Sequence, residues 1–381
     1  MAGFNLPINF LIPLGAFHLF LLPLLCRHLP YSFYFNPTFS TTNSSGDEGR
    51  EEATALDQLA SLARREQTIQ QHYSHLAVLV LTASRQGVSY LGRSLLALHR
   101  EVVAAKNKPL VFVCSGEKEI ERKFRGRLPF PLIQPNTSQP LHLWSPGNQK
   151  AKRDFVFCVD QMHQTLPQNV EHILILEDDT LVMQGFFSTL STWMTFHQER
   201  LEAEPWLDIK LYLNPRLRGW AWDPLPLVEL LSSTSFLAIV LHVILAGLRE
   251  TRQFNSWMSF VLLWVAILGA LLLVGRQHWV QWRRIHPQLY MRREVPNPFT
   301  QAVLYPRQRL IGAALYMRGK LDTFTPFDLT LGQYRRSAGL DGHLLEPNLV
   351  RHIGLSSAFD AAHVQERDAG DNREFLTEYP I

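Results

Sequence analysis

His172-Ile173-Leu174-Ile175-Leu176-Glu177-Asp178-Asp179-Thr180 carries five mostly apolar residues straight into three consecutive carboxylates. The apolar part predicts a buried strand, short and partly β-branched. The carboxylates fall where that strand leaves its sheet, and open α/β sheets bind ligands beyond the carboxyl ends of their strands. Three adjacent negative charges there repel one another and raise one another's pKa. A divalent cation carrying phosphates relieves that repulsion, and oxygen ligands select Mg²⁺ or Mn²⁺ over softer metals. Two readings follow from these residues alone, a metal–diphosphate site and a solvated acidic turn after a core strand.

Composition narrows the class. A chain of 381 residues suffices for one large domain or two small ones. A net charge of +3 gives no basic surface for a nucleic acid, so no nucleic-acid partner is expected. Three cysteines, Cys26, Cys114 and Cys158, make neither a disulfide-rich scaffold nor a zinc site. The apolar residues are bunched, and the bunching separates membrane from sheet.

Residues 10–26 form the first apolar run, broken by Pro13 and Pro23. Without a basic n-region or a small-residue cleavage site, it is expected to be an uncleaved signal anchor. Arg27 on its far flank gives that orientation no support from the positive-inside rule. Residues 37–53 are polar and predict a stalk, with a glycosylation sequon at Asn43 and a second one further on at Asn136. Residues 55–72 have helical spacing. Strands are then expected at 76–82, 109–114, 173–176 and 209–213, and helices at 89–105, 149–165 and 185–203. That alternation predicts a parallel sheet covered on both faces. The turn after the first strand, from Ala83 to Arg85, is either a nucleotide contact or an ordinary βα turn.

The alternation stops at residues 227–248 and 257–275, two apolar segments joined by an eight-residue link and edged by tryptophans. They predict a transmembrane hairpin. A hairpin leaves and returns on one side of the bilayer, so one domain can be built from the sequence on either side of it. After it, residues 302–305 predict a strand, 325–336 a helix with Asp328 in its first turn, and 344–354 a strand, a turn and a strand.

Several stretches in this order resemble one family. They are Lys152-Arg153-Asp154-Phe155-Val156-Phe157-Cys158, Glu177-Asp178-Asp179, Ile209-Lys210-Leu211-Tyr212, Val274-Gly275-Arg276 with Arg283-Arg284, and Glu346-Pro347-Asn348-Leu349-Val350-Arg351-His352-Ile353-Gly354. Together they resemble the post-GPI-attachment N-acetylgalactosaminyltransferase family over residues 75–358. The resemblance implies a multi-pass Golgi membrane protein with a lumenal GT-A-like domain, a Rossmann-like α/β glycosyltransferase fold, split by a two-helix transmembrane insertion. On that basis the chain divides into an N-terminal anchor (1–27), stalk and lead-in helix (28–72), first half-domain (73–223), hairpin (224–276), second half-domain (277–358) and polar tail (359–381).

The resemblance further implies transfer of N-acetylgalactosamine from UDP-GalNAc to a core mannose of the GPI glycan on GPI-anchored proteins, with inversion and with Mn²⁺ or Mg²⁺. Asp179 and His352 then stand as metal ligands. Glu177, Asp178, Ala83, Arg85, Thr300, Gln301 and Phe327 stand on the donor side, and Asp328 is the candidate base. Cys114 and Cys158 are expected to pair in an oxidising lumen, leaving Cys26 unpaired. Pro298-Phe299 replaces an expected cysteine pair, Phe327 replaces an expected lysine, and the tail beyond Ala358 does not match. Another UDP-sugar such as UDP-GlcNAc, another acceptor, and a non-catalytic membrane interaction protein remain as alternatives.

Overall fold

The structure, a computed structural model, describes residues 15–29, 32–35, 45–65, 75–83, 89–116, 120, 124, 126–134, 147–214, 217, 219–220, 224–248, 257–294 and 300–354. Arg85, Asn43, Asn136, Pro298-Phe299 and the tail lie outside the described residues. The described residues fall into two compact units, one from Met1–Thr42 and Asn214–Trp282, the other from Asn43–Leu213 and Arg283–Ile381.

The first unit is helical. It holds α1 (Phe17–Cys26), α7 (Pro224–Leu248) and α8 (Trp257–Val274). The last two are long and apolar enough to cross a membrane. α1 is shorter than a span within the described residues, so the expected N-terminal anchor stays an expectation. Its His18 ring lies 3.8 Å from where a side chain on Gly269 would begin. The two long helices have large exposed apolar side chains such as Val228, Phe236, Val243 and Val265, as helices surrounded by lipid do. Just past the end of α8, Arg276 Nε donates to Glu229 Oε2 of α7 at 2.8 Å, with both side chains buried.

The second unit is a mixed α/β domain. Its eight-stranded sheet runs in the order β3-β2-β1-β4-β8-β6-β9-β7. The strands are β1 (Leu76–Leu81), β2 (Leu110–Cys114), β3 (Leu132–Ile133), β4 (His172–Glu177), β6 (Trp206–Lys210), β7 (Met291–Glu294), β8 (Ala302–Pro306) and β9 (Asp341–Glu346). A separate two-stranded ribbon pairs β5 (Thr180–Val182) with β10 (Val350–His352). The helices are α2 (Ser45–Arg65), α3 (Leu91–Ala104), α4 (Gly147–Thr165), α5 (Phe186–Phe196), α6 (Gln198–Ala203), α9 (Arg307–Arg318) and α10 (Phe327–Ser337).

One expectation is corrected. The sheet is not wholly parallel. β1 is parallel to β2 and β4, and β6 is parallel to β9, but β8 is antiparallel to both β4 and β6, and β7 to β9. A parallel pair needs a crossover over the sheet face. β8 comes directly after β7 in the chain, and these two strands are the ones that enter in the opposite sense.

Two differences are local. The helix expected over 55–72 begins at Ser45 and is continuous to Arg65, so part of the expected stalk is helix. Its Ala55 and Leu59 are wholly buried in the domain core, and the Glu52 carboxylate accepts the Gly92 N–H at 2.7 Å and the Arg93 N–H at 3.1 Å. Glu52 thereby satisfies donors at the start of α3 that a helix leaves open, and burial raises its pKa. The helix expected over 185–203 is two helices broken at His197, which leaves helical geometry at φ −104° and ψ 10°.

The core lies on both faces of the sheet. One side packs α2, α3 and α5 on residues such as Val78, Val80, Leu174 and Leu304. The other packs α4 and α9 on Ala77, Leu79, Ile173, Val303 and Tyr305. A disulfide joins Cys114 at the end of β2 to Cys158 on α4, and Cys26 is a buried free thiol. His343 on β9 is 3% exposed, and neither ring nitrogen has a hydrogen bond. Burial first, and Arg292 second, lower its pKa from 6.5 to about 4. The folded pKa is depressed, so this imidazole contributes stability that is present above about pH 6.5 and lost as pH falls towards 4. Thermal unfolding of the purified protein should therefore lose up to about 3 kcal/mol over that range. His343→Asn should flatten the loss, and an unchanged pH dependence in that variant would refute the assignment.

Candidate active site

The three carboxylates leave β4 at the carboxyl edge of the central strands. β4 needs its apolar run because it is buried on both faces, and its register against β1 puts Glu177 beside Leu81. The chain then turns and β5 starts at Thr180. Each carboxylate meets a different element. Thr300 Oγ1 donates to Glu177 Oε1 at 2.6 Å, and Thr82 Oγ1 donates to Asp178 Oδ2 at 2.7 Å. Asp179 Oδ2 lies 3.2 Å from His352 Nε2. The three side chains diverge, which relieves the repulsion that adjacency alone would impose.

The ribbon is what brings His352 to Asp179. β10 pairs antiparallel with β5 so that His352 stands opposite Thr180, and the Ile353 N–H donates to the Asp179 carbonyl at 2.8 Å. Asp179 is 4% exposed and His352 is partly buried. The Tyr212 ring lies against the imidazole, with centroids 6.0 Å apart. Gly354 closes the other side. A Cβ there would fall 2.2 Å from Asp179 Oδ2 and 3.0 Å from His352 Nε2, so the pair occupies space that any other residue would fill.

Among the described residues, no three His, Cys, Asp or Glu side chains assemble into a metal cage. A carboxylate and an imidazole in contact suit Mg²⁺ or Mn²⁺, which commonly take one or two protein ligands and complete their shell with water and substrate phosphates. The donor set therefore fits the ion the sequence implied.

The remaining residues divide into those near this edge and those set into the core. The Gln301 carbonyl accepts from the Glu177 N–H at 2.9 Å and from Thr180 Oγ1 at 3.1 Å, and its side-chain Oε1 is buried without a hydrogen bond. Ala83 directly follows Thr82 at the end of β1. Phe327 packs its ring on Phe155 at 4.8 Å. Asp328 lies in the first turn of α10, half-buried, with Oδ1 accepting the Leu329 N–H at 2.8 Å. Its charge reaches Lys210, which is buried at the end of β6 with Nζ 3.8 Å from Asp208 Oδ2. Burial lowers the Lys210 pKa and raises that of Asp208, and each partner's charge opposes the shift.

Sequence reasoning missed several residues here. Thr82 was only the last residue of an expected strand, and Tyr212, Asn348 and Gly354 were letters in a motif without roles. Lys152 was another. Its buried ammonium donates to the Lys320 carbonyl at 2.8 Å and to the Thr323 carbonyl and hydroxyl at 2.6 and 2.9 Å. That anchors the loop leading to α10 and Asp328. A lysine amid an amphipathic helix gives no sign of such a partner in one dimension.

The fold and this edge define a class, and the comparisons narrow it. The protein is a glycosyltransferase. The family model described as GPI-N-acetylgalactosamine transferase PGAP4 matches residues 76–351, most of the chain, and the chain belongs to that family. Similar solved structures include a CMP:2-keto-3-deoxy-manno-octonic acid synthetase complexed with CTP, 9% identical, covering 71% of this chain and 89% of that one at a TM-score of 0.32. A mannosyltransferase from Pyrobaculum calidifontis in complex with GDP-Man and Mn²⁺ is 13% identical, with 45% and 46% covered and a TM-score of 0.25. Mouse xyloside xylosyltransferase 1, in apo form, is 8% identical, with 70% and 78% covered and a TM-score of 0.27. Likenesses this distant decide nothing about this chain's chemistry.

Gly354→Ala tests the edge directly. The added methyl must displace Asp179 or His352, so transferase activity should fall by about tenfold or more. Thermal unfolding, run beside the assay, should move little. Full activity in this variant would show that the pair is not used.

Proposed function

We propose that this enzyme transfers N-acetylgalactosamine from UDP-GalNAc to a core mannose of the GPI glycan on GPI-anchored proteins, in the Golgi membrane with its α/β domain lumenal. The observation that carries the proposal is the Asp179–His352 pair at the carboxyl edge of the sheet, in a chain whose family is the GPI-N-acetylgalactosamine transferases. A Mn²⁺ or Mg²⁺ ion held by Asp179 and His352 would stabilise the charge that grows on the UDP leaving group. Glu177 and Asp178, each already bonded to a hydroxyl, would order the sugar and ribose of the donor. Thr300, Gln301, Ala83 and Arg85 would border it, and the buried amide oxygen of Gln301 offers an acceptor on that side. Phe327 would act from beneath through its packing on Phe155.

In an inverting transfer the acceptor hydroxyl oxygen attacks the anomeric carbon. The bond from that carbon to the phosphate oxygen breaks, and its electron pair leaves with UDP. The hydroxyl proton passes to a base, for which Asp328 is the candidate. It stands in the first turn of α10, within electrostatic reach of the Lys210 ammonium. The two apolar helices of the other unit would keep the enzyme at the membrane that carries its lipid-anchored acceptor, which raises the effective acceptor concentration.

The test is GalNAc incorporation into a GPI-anchored protein in cells lacking their own activity. This chain should restore it, and Asp179→Ala at equal level and location should not. Asp328→Asn should bind UDP normally and lose about 10²- to 10⁴-fold in turnover. Near-normal turnover in that variant would dismiss Asp328 as the base. No incorporation from the unaltered chain, correctly located, would point to another donor or acceptor.

A further inference from the structure

Asn348 lies outside the acid triplet and has no part in the transfer just described. It is nevertheless wholly buried, and its amide is engaged at both ends. Oδ1 accepts the Leu213 N–H at 2.8 Å, and Nδ2 donates to the Leu213 carbonyl at 3.0 Å. One residue on, the Leu349 N–H donates to the Leu211 carbonyl at 2.9 Å. The backbone is thus held on both sides of Tyr212, the residue whose ring lies against His352.

The Asn348 carbonyl is occupied as well, by Arg284 Nη2 at 2.8 Å. Leu213 is the last residue of the α/β unit before the chain passes to the helical unit, and Arg284 is the second after it returns. One buried residue, four positions before His352, therefore ties together the departing and returning chain.

We propose that Asn348 is a positioning residue for the metal site: it holds Tyr212 in place, and Tyr212 sets the angle at which His352 meets Asp179. This rests on the reading of Asp179 and His352 as metal ligands. The chemistry requires an amide. Asparagine presents one donor edge and one acceptor edge and so duplicates a peptide group against Leu213. A carboxylate of the same shape keeps the bond to the N–H but turns an oxygen towards the Leu213 carbonyl. Groups that orient a metal ligand from behind commonly govern affinity by about 10- to 100-fold.

The experiment measures Mn²⁺ affinity in the presence of UDP, from the loss of the free-ion paramagnetic resonance signal, on purified full-length protein in detergent. Thermal unfolding confirms folding. Asn348→Asp and Tyr212→Leu should each weaken Mn²⁺ binding by about tenfold or more, whereas Tyr212→Phe, which keeps the ring, should bind as the unaltered protein does. A merely structural role for Asn348 would lower the melting temperature and leave the Mn²⁺ affinity of the folded protein unchanged, and that result would overturn the proposal. If Asn348→Asp does not fold, the contrast between Tyr212→Leu and Tyr212→Phe decides. Asp179→Ala and His352→Ala separate the two failures. Intact Mn²⁺ binding in both removes the metal reading and this proposal with it. Lost binding in both, beside unchanged affinity in Asn348→Asp and Tyr212→Leu, removes the positioning role alone.

Discussion

The short antiparallel pairing of β5 with β10 is the constraint on which the candidate site depends. It sets His352 opposite Thr180 and so against Asp179, from 173 residues further along the chain. Without that register, the triplet is a run of acidic residues leaving a strand. With it, one carboxylate gains an imidazole, and the space that a side chain at Gly354 would fill becomes theirs. A ribbon of three residues a side is marginal by itself. Here it is supported by the Ile353 bond to Asp179 and the Met183 bond to Leu349.

The same constraint explains how a long apolar insertion can interrupt a catalytic domain. The sheet is completed from both sides of the insertion. β8, from the later half, lies between β4 and β6 of the earlier half, and β9 extends the sheet beyond β6. Neither half could bury its sheet alone, because the core on each face draws on both, as Ile173 with Val303 and Leu174 with Leu304 show. The division is therefore one of sequence and not of folding unit.

Buried charge is handled in two ways. Glu229 and Arg276 are a buried close pair within the helical unit, where an unpartnered charge would be costly to hold, and Asp208 and Lys210 are a buried pair within the α/β unit. Other buried charges of the α/β unit tie backbone. Glu52 and Glu101 hold the starts of α3 and α5, and Lys152 holds the loop before α10. These bonds place elements around the site, and hydrophobic pattern cannot report them.

Much of the architecture was legible in one dimension. Solid apolar runs mark β1, β2 and β4 because central strands are buried on both faces, and the two long apolar helices stand out because they lack a polar face. The triplet and the histidine motif were legible as chemistry, since few residue types serve a hard cation. What only the tertiary structure decided was direction, partnership and close approach. The antiparallel sense of β8 depends on how the chain returns, the docking of α2 depends on Glu52 finding α3, and the roles of Thr82, Tyr212, Asn348 and Gly354 depend on neighbours remote in sequence. Periodicity records which side of an element is buried. It carries no information about which distant backbone group or side chain will stand opposite, and in this protein that opposition makes the site.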